Sequence, residues 1–436
     1  MAYFEKGESS PESLFENRKN EAAKPSYQAG VNENGCLILP PEIARKLGLV
    51  PGANINIVPD HGRIEILPNI HSLARVYIEP TSRCNLSCQT CIRNTWKEPA
   101  GDMDLKIFEK AANELPRFPH LDSVMFGGFG EPTVHKDILY MIQSIKSLGF
   151  RAEMVTNGTL LDEGMLAGLM KSKLDSLWVS FDGTMETSFE DIREGAGFQK
   201  VVDSLKLLQK MNSRSPHKIE VGIAFVLMKK NINDLKNLDE LARSVGAKKV
   251  SVSNVLPYSE EMEKEMLCLM TLTLDTFTFS PGKTEISLPR MDINNITKDT
   301  LFSLLKGYEN LTLMGNRISA DTRQCRFIND RCTFVRWDGK VSPCLGLLHS
   351  YKTFLNGFER TIESYTVGDM GLSQLWDIWN SKEYTKFREK VRAFDFSSCH
   401  LCGGCPSLEK NEEDCFGNTF PTCGGCLWAQ GIIQCP

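Results

Sequence analysis

The chain has 436 residues, 41% of them hydrophobic and 24% charged, and its 50 basic and 55 acidic side chains give a formal net charge of −5. That length predicts two to three globular domains, and the acidic balance argues against a nucleic-acid backbone as the main partner. No apolar run approaches the roughly 18 residues that span a bilayer, and the start, MAYFEKGESSPESLFENRKNE, lacks the apolar core of a secretory signal, so a cytoplasmic protein without membrane contact is expected.

Residues 1–26 are polar and of mixed charge, and read as a flexible tail. A small β-rich unit follows over 27–70. It reads as a strand, a short helix from Pro41 to Leu47 stopped at Gly48, a Pro51-Gly52 turn and two alternating strands, the last opening at Gly62. So few residues bury little core by themselves, and pairing with a second copy is the physical remedy.

From 74 to 257 six strand candidates alternate with helices: 76–79, 123–127, 152–156, 177–181, 219–227 and 249–256. Amphipathic stretches at 105–115, 135–149, 198–211 and 232–246 lie between them. Near-continuous apolar strands alternating with helices predict an α/β fold with a parallel sheet, and six units make a partial (β/α)6 barrel rather than a closed eight-stranded one. Residues 258–324 suit a bridge packed on the barrel. The remainder, 325–436, is turn-rich, with one helix expected over 371–394.

The fifteen cysteines are clustered. Three form the C-x3-C-x2-C loop Cys84, Cys88 and Cys91, directly after the first core strand, and ten lie from Cys325 onward. In a reducing compartment such clusters point to metal or redox chemistry rather than disulfides. Three thiolates in one loop can hold three irons of a four-iron cluster and leave the fourth iron open to substrate. A zinc knuckle or a plain electron-transfer cluster is the alternative, but neither fits a loop with no fourth ligand nearby. Further polar or glycine-rich segments close the next three strands: GGFGEP (127–132), TNG (156–158) and SFDG (180–183). In parallel α/β folds, active residues gather at such C-terminal strand ends.

Over 74–257 these residues resemble the radical S-adenosylmethionine superfamily. The resemblance implies that Cys84, Cys88 and Cys91 bind a cluster that chelates S-adenosylmethionine. Reductive cleavage then yields methionine and a 5′-deoxyadenosyl radical, with a low-potential donor such as ferredoxin supplying the electron. It implies that Gly128, Gly130 and Glu131 hold the methionine ammonium, that Asn157 contacts the nucleoside, that Ser180 and its charge partner Arg193 serve the carboxylate, and that Asp182 reaches the ribose. For Asp182 a turn, and for Arg193 a solvated helix charge, remain the plainer readings.

The C-terminal field runs Cys325, Cys332, Cys344, Cys399, Cys402, Cys405, Cys415, Cys423, Cys426 and Cys435, with Gly339 in a Gly-x4-Cys element before Cys344. It resembles the SPASM extension, which implies two auxiliary four-iron clusters. Ten thiols exceed the eight that two such clusters need, so two are spare or structural. Zinc is the alternative for the C-x2-C pairs. His349 and His400 flank cysteines and read as surface residues. Sulfatase-maturing relatives carry an Asp where Leu345 stands here, so their base does not transfer. The segments 253–262, 335–351 and 395–436 resemble the maturases of tungsten-cofactor oxidoreductases of the aldehyde ferredoxin oxidoreductase type, which implies a tungsten–pterin enzyme or its cofactor as target.

Two other functions stay open: radical modification of a ribosomal peptide, and a DNA-binding iron–sulfur redox regulator built on the N-terminal unit. That unit resembles the AbrB-like swapped-hairpin fold. Arg45, Lys46 and Arg63 are outnumbered there by Glu33, Glu42, Asp60 and Glu65, a poor balance for neutralising phosphates, so a homodimer contact or partner docking is the expectation.

Overall fold

In a computed structural model the described residues are 29–49, 57–60, 63–66, 68–267, 286–288, 311–313, 316–317, 325–396, 409–414 and 416–436. The expected tail, together with Cys268, Cys399, His400, Cys402, Cys405 and Cys415, lies outside them.

The N-terminal unit holds two separate antiparallel pairs. Strand β1 (Gly30–Val31) pairs with β2 (Leu37–Ile38), a helix runs over Pro41–Lys46, and β3 (Ile57–Asp60) pairs with β4 (Arg63–Ile66). The β1–β2 turn is held by Asn32, whose Oδ1 accepts from the N–H groups of Asn34 and Cys36.

All six expected core strands form: β5 (Arg75–Ile78), β6 (Ser123–Phe126), β7 (Arg151–Thr156), β8 (Ser176–Ser180), β9 (Glu220–Leu227) and β10 (Lys249–Asn254). They pair in sequence order, all parallel. Val76, Ile78, Val124, Met125, Phe126 and Met154 are fully buried, so neighbouring positions on opposite faces are both covered, as a parallel sheet between helices requires. The helices start where short polar side chains accept the free N–H groups of the first turn. Asp104 caps Leu105–Glu114 through the N–H of Lys106, and Asp162 caps Glu163–Lys171 through that of Met165. Their apolar stripes, such as Phe108, Ala111 and Ala112, pack on the sheet.

In the bridge, β11 (Ile286–Leu288), β12 (Leu311–Leu313) and β13 (Asn316–Arg317) form a small sheet of their own. The C-terminal region does not stand apart from the core. Strand β14 (Cys332–Val335) lies parallel to β5 in the register Cys332↔Arg75 to Val335↔Ile78, and Phe334 stacks on Tyr77 with ring centroids 4.2 Å apart. Strands β15 (Lys340–Ser342) and β18 (Gly368–Asp369) continue the sheet antiparallel, giving nine strands, while β16 (Tyr351–Leu355) and β17 (Phe358–Ile362) make a separate hairpin. A boundary at 325 therefore falls within one continuous sheet.

The single helix expected over 371–394 is two, Leu375–Trp379 and Lys382–Ala393. Ser381 breaks the run, because its hydroxyl accepts from the N–H of Tyr384 and starts a second helix in a new direction.

Candidate functional site

The thiol loop leaves the C-terminal end of β5 and is pinned by backbone contacts. Gln89 N–H donates to Ile192 O at 2.9 Å, and Asn94 Nδ2 to Cys88 O at 3.2 Å. Donors also reach the sulfurs: Leu86 N–H to Cys84 Sγ at 3.4 Å, Asn157 Nδ2 to the same sulfur at 3.7 Å, and Arg93 Nε to Cys91 Sγ at 3.2 Å. Burial pushes the Cys88 thiol up to about 11, and the Arg193 guanidinium pulls against that shift. Amide and guanidinium donors stand around the sulfurs, where they can hydrogen-bond a bound iron–sulfur cluster, so this donor set fits one.

The three neighbouring strand ends converge here, in roles that differ from several expectations. Glu131 is the residue that the resemblance sets against the methionine ammonium. It is buried, its Oε1 accepts from Thr133 N–H and Oγ1 and from Thr156 Oγ1, and its Oε2 accepts from Asn157 N–H at 2.6 Å. These donors tie the β6 loop to the end of β7. Asn157 is likewise turned onto the thiol loop, donating to Asn85 Oδ1 at 3.0 Å and to Cys84. Asp182 is fully buried: Oδ1 accepts from Val226 N–H, and Oδ2 stands 3.0 Å from Arg193 Nε. Arg193 thus pairs with Asp182, beside Cys88, and is no solvated helix charge. Ser180 ends β8, half-buried.

The glycines answer to protein atoms. A Cβ on Gly130 would stand 2.0 Å from Thr81 O, and one on Gly128 would stand 2.6 Å from Glu79 Oε1. The glycine-rich loop therefore lies directly on the segment leading from β5 into the thiol loop, and Glu131 N–H donates to Arg83 O at 2.8 Å.

Sequence reasoning missed a second cluster at the same end. His349, expected on the surface, is buried between two carboxylates. Its Nε2 lies 2.9 Å from Glu79 Oε2, and its Nδ1 3.1 Å from Glu98 Oε2. Glu98 also receives Arg336 Nη1 at 3.0 Å, and Arg336 pairs with Asp338. Both ring nitrogens face carboxylates, an arrangement that favours the doubly protonated ring. Burial opposes that charge, but the hydrogen bonds to Glu79 and Glu98 outweigh it and raise the His349 pKa. The ring stacks on Trp96 at 4.1 Å, and Glu79 Oε1 accepts from Phe129 N–H at 3.2 Å. The C-terminal region thereby touches the glycine-rich loop through one buried histidine. The acid ending the apolar segment VYIE was the available signal.

Further from the core, Cys325, Cys344, Cys423 and Cys426 line a common cavity, whereas Cys332 and Cys435 are not among its lining.

Comparison with known proteins accords with this geometry. The family described as the radical SAM superfamily matches residues 78–242, and the SPASM iron–sulfur cluster-binding domain matches 325–406. The tungsten-containing aldehyde ferredoxin oxidoreductase cofactor-modifying protein of Pyrococcus furiosus is 30% identical over 368 residues, 83% of this chain and 96% of that protein. The chain belongs to the radical SAM superfamily. Within it, the PqqA peptide cyclase of Rhodopseudomonas palustris is 26% identical over 45% of this chain and 51% of its own length. Among solved structures, SuiB of Streptococcus suis bound to S-adenosylmethionine aligns at 16% identity and a TM-score of 0.49, covering 78% of this chain and 72% of that one. As a SPASM-bearing radical SAM enzyme, the chain is one that binds iron–sulfur clusters and S-adenosylmethionine. No helix among the described residues is long and apolar enough to cross a membrane.

Proposed function

We propose that this enzyme cleaves S-adenosylmethionine reductively at the Cys84–Cys88–Cys91 loop and acts in maturing a tungsten–pterin oxidoreductase or its cofactor. The match to the Pyrococcus protein supports the target, since it runs through both the radical SAM and the SPASM regions and covers 96% of that protein. The peptide cyclase match spans about half of its relative, which makes peptide modification the weaker reading.

A four-iron cluster held by Cys84, Cys88 and Cys91 would supply an open iron for S-adenosylmethionine and pass on the electron for its reductive cleavage. This chain's residues hold the frame. Asn157 and Arg93 donate to the sulfurs, Glu131 locks the glycine-rich loop to β7, and the Asp182–Arg193 pair braces Cys88 from below. Glu79, fixed by His349, keeps the Phe129 amide in place. A low-potential donor such as ferredoxin supplies the electron.

Anaerobic incubation with dithionite and S-adenosylmethionine tests the chemistry, with 5′-deoxyadenosine and methionine as the expected products; intact S-adenosylmethionine would overturn it. Dependence of the tungsten enzyme's activity on this protein in a paired expression host tests the target.

The N-terminal unit exposes Val31, Leu37, Ile38 and Ile57. These side chains suit contact with a second copy of the unit, and mass measurement in solution with and without residues 1–68 tests that homodimer. An oligomeric state unchanged by the deletion argues against it.

A further inference from the structure

We propose that His349 is a positioning residue for S-adenosylmethionine, setting the glycine-rich loop from the C-terminal region through the Glu79 carboxylate. The inference rests on the radical SAM reading above. It assigns part of that site's affinity to a residue well outside the radical SAM match, which ends at 242.

The first support is that Glu79 and the loop meet too closely for either to move alone. Glu79 directly follows β5 and is 1% exposed. A Cβ on Gly128 would stand 2.6 Å from its Oε1, and the same oxygen accepts from Phe129 N–H at 3.2 Å. Gly127 N–H donates to Ile78 O at 3.0 Å. The backbone of residues 127–129 is therefore laid along Ile78 and Glu79, and the place of the carboxylate fixes that of the Phe129 amide. This is the loop that the resemblance sets against the methionine ammonium.

The second support is that the carboxylate depends on His349 for its own place. Among the described residues, the donors that reach it are Phe129 N–H and His349 Nε2, the latter 2.9 Å from Oε2 and 3.1 Å from Oε1. A buried carboxylate with one amide donor and no further partner is costly, so the histidine is what keeps it there. The ring is held in turn. Its Nδ1 lies 3.1 Å from Glu98 Oε2, its face stacks on Trp96 with centroids 4.1 Å apart, and the Phe129 ring stands across it at 6.1 Å and 77°. Trp96 meets Phe129 as well, at 5.6 Å and 82°. His349 thus grips the loop twice: at the Phe129 amide by way of Glu79, and at the Phe129 ring directly.

The thiol loop is held by other groups. The donors that reach its sulfurs are Leu86, Asn157 and Arg93. Loss of the His349 contact therefore falls on S-adenosylmethionine binding rather than on the cluster.

The test is amide hydrogen exchange on the anaerobically reconstituted full chain without S-adenosylmethionine, followed by steady-state 5′-deoxyadenosine formation under dithionite. H349A is expected to keep the wild-type iron content and to speed exchange at residues 127–131 more than anywhere else in the barrel. Its KM for S-adenosylmethionine is expected to rise about tenfold with kcat kept, the worth of one charge-assisted hydrogen bond. H349Q, which can still donate to Glu79, is expected to fall between H349A and the wild type in both readouts, and it decides if H349A does not fold. Unchanged exchange at 127–131, exchange raised evenly along the chain, or a fall in kcat at unchanged KM overturns the proposal. Absence of 5′-deoxyadenosine from the wild type would instead sink the enzymatic reading alone, leaving the exchange pattern to decide the role of His349.

Discussion

Two sulfur sites occupy opposite kinds of environment. Around Cys84, Cys88 and Cys91 the neighbours are polar or charged: Asn157, Arg93, Arg193 and Asp182 lie within one or two contacts of the sulfurs. Around Cys325, Cys344, Cys423 and Cys426 the walls are apolar, with a single arginine. Three thiols thus stand among polar and charged groups, and four line an apolar cavity.

The comparison breaks most sharply at the polar site. C84A/C88A/C91A is expected to abolish 5′-deoxyadenosine formation completely and to lower iron by about four per chain, leaving the second site loaded. Loss of all iron would show that the two sites do not load independently.

Next in size is the histidine that joins the C-terminal region to the glycine-rich loop. H349A leaves the Glu79 carboxylate buried without its cation, at a cost of about 3–5 kcal/mol in unfolding free energy. H349Q is expected to recover part of this, since an amide can still donate to one carboxylate. The pKa of His349 is raised in the fold, so its contribution is complete below the ordinary histidine value of 6.5 and is lost as the pH climbs through the raised one. Denaturant titrations at several pH values should show this loss in the wild type and its absence in H349Q.

Smaller still is G130A, whose Cβ would collide with Thr81 O. We expect about 1–3 kcal/mol of destabilisation by thermal or chemical unfolding, and reduced iron at the polar site with none lost from the other.

The core was legible in the sequence because parallel strands buried on both faces are short apolar runs, and their loops carry glycine or polar residues at predictable strand ends. The thiol triad needed only its spacing. What stayed hidden depends on distant partners. His349 meets Glu79 across 270 positions, and no local pattern distinguishes it from a loop histidine on the surface. Glu131, Asn157 and Asp182 lie at the expected strand ends, yet their side chains turn inward, because each finds backbone or hydroxyl donors left over where a strand stops. The break at Ser381 was readable in principle, as a serine followed three residues on by the N–H it caps.

The pairing of β14 with β5 has a consequence for how this chain is made. Residues 75–78 leave the ribosome some 250 positions ahead of the strand that will cover them, so one flank of the nascent barrel stays unzipped through most of synthesis. A chain cut short at 324 would carry that bare edge permanently, and an uncovered edge recruits other strands. The radical SAM region is thus born incomplete, and its guardian against clumping is the very segment that opens the SPASM region.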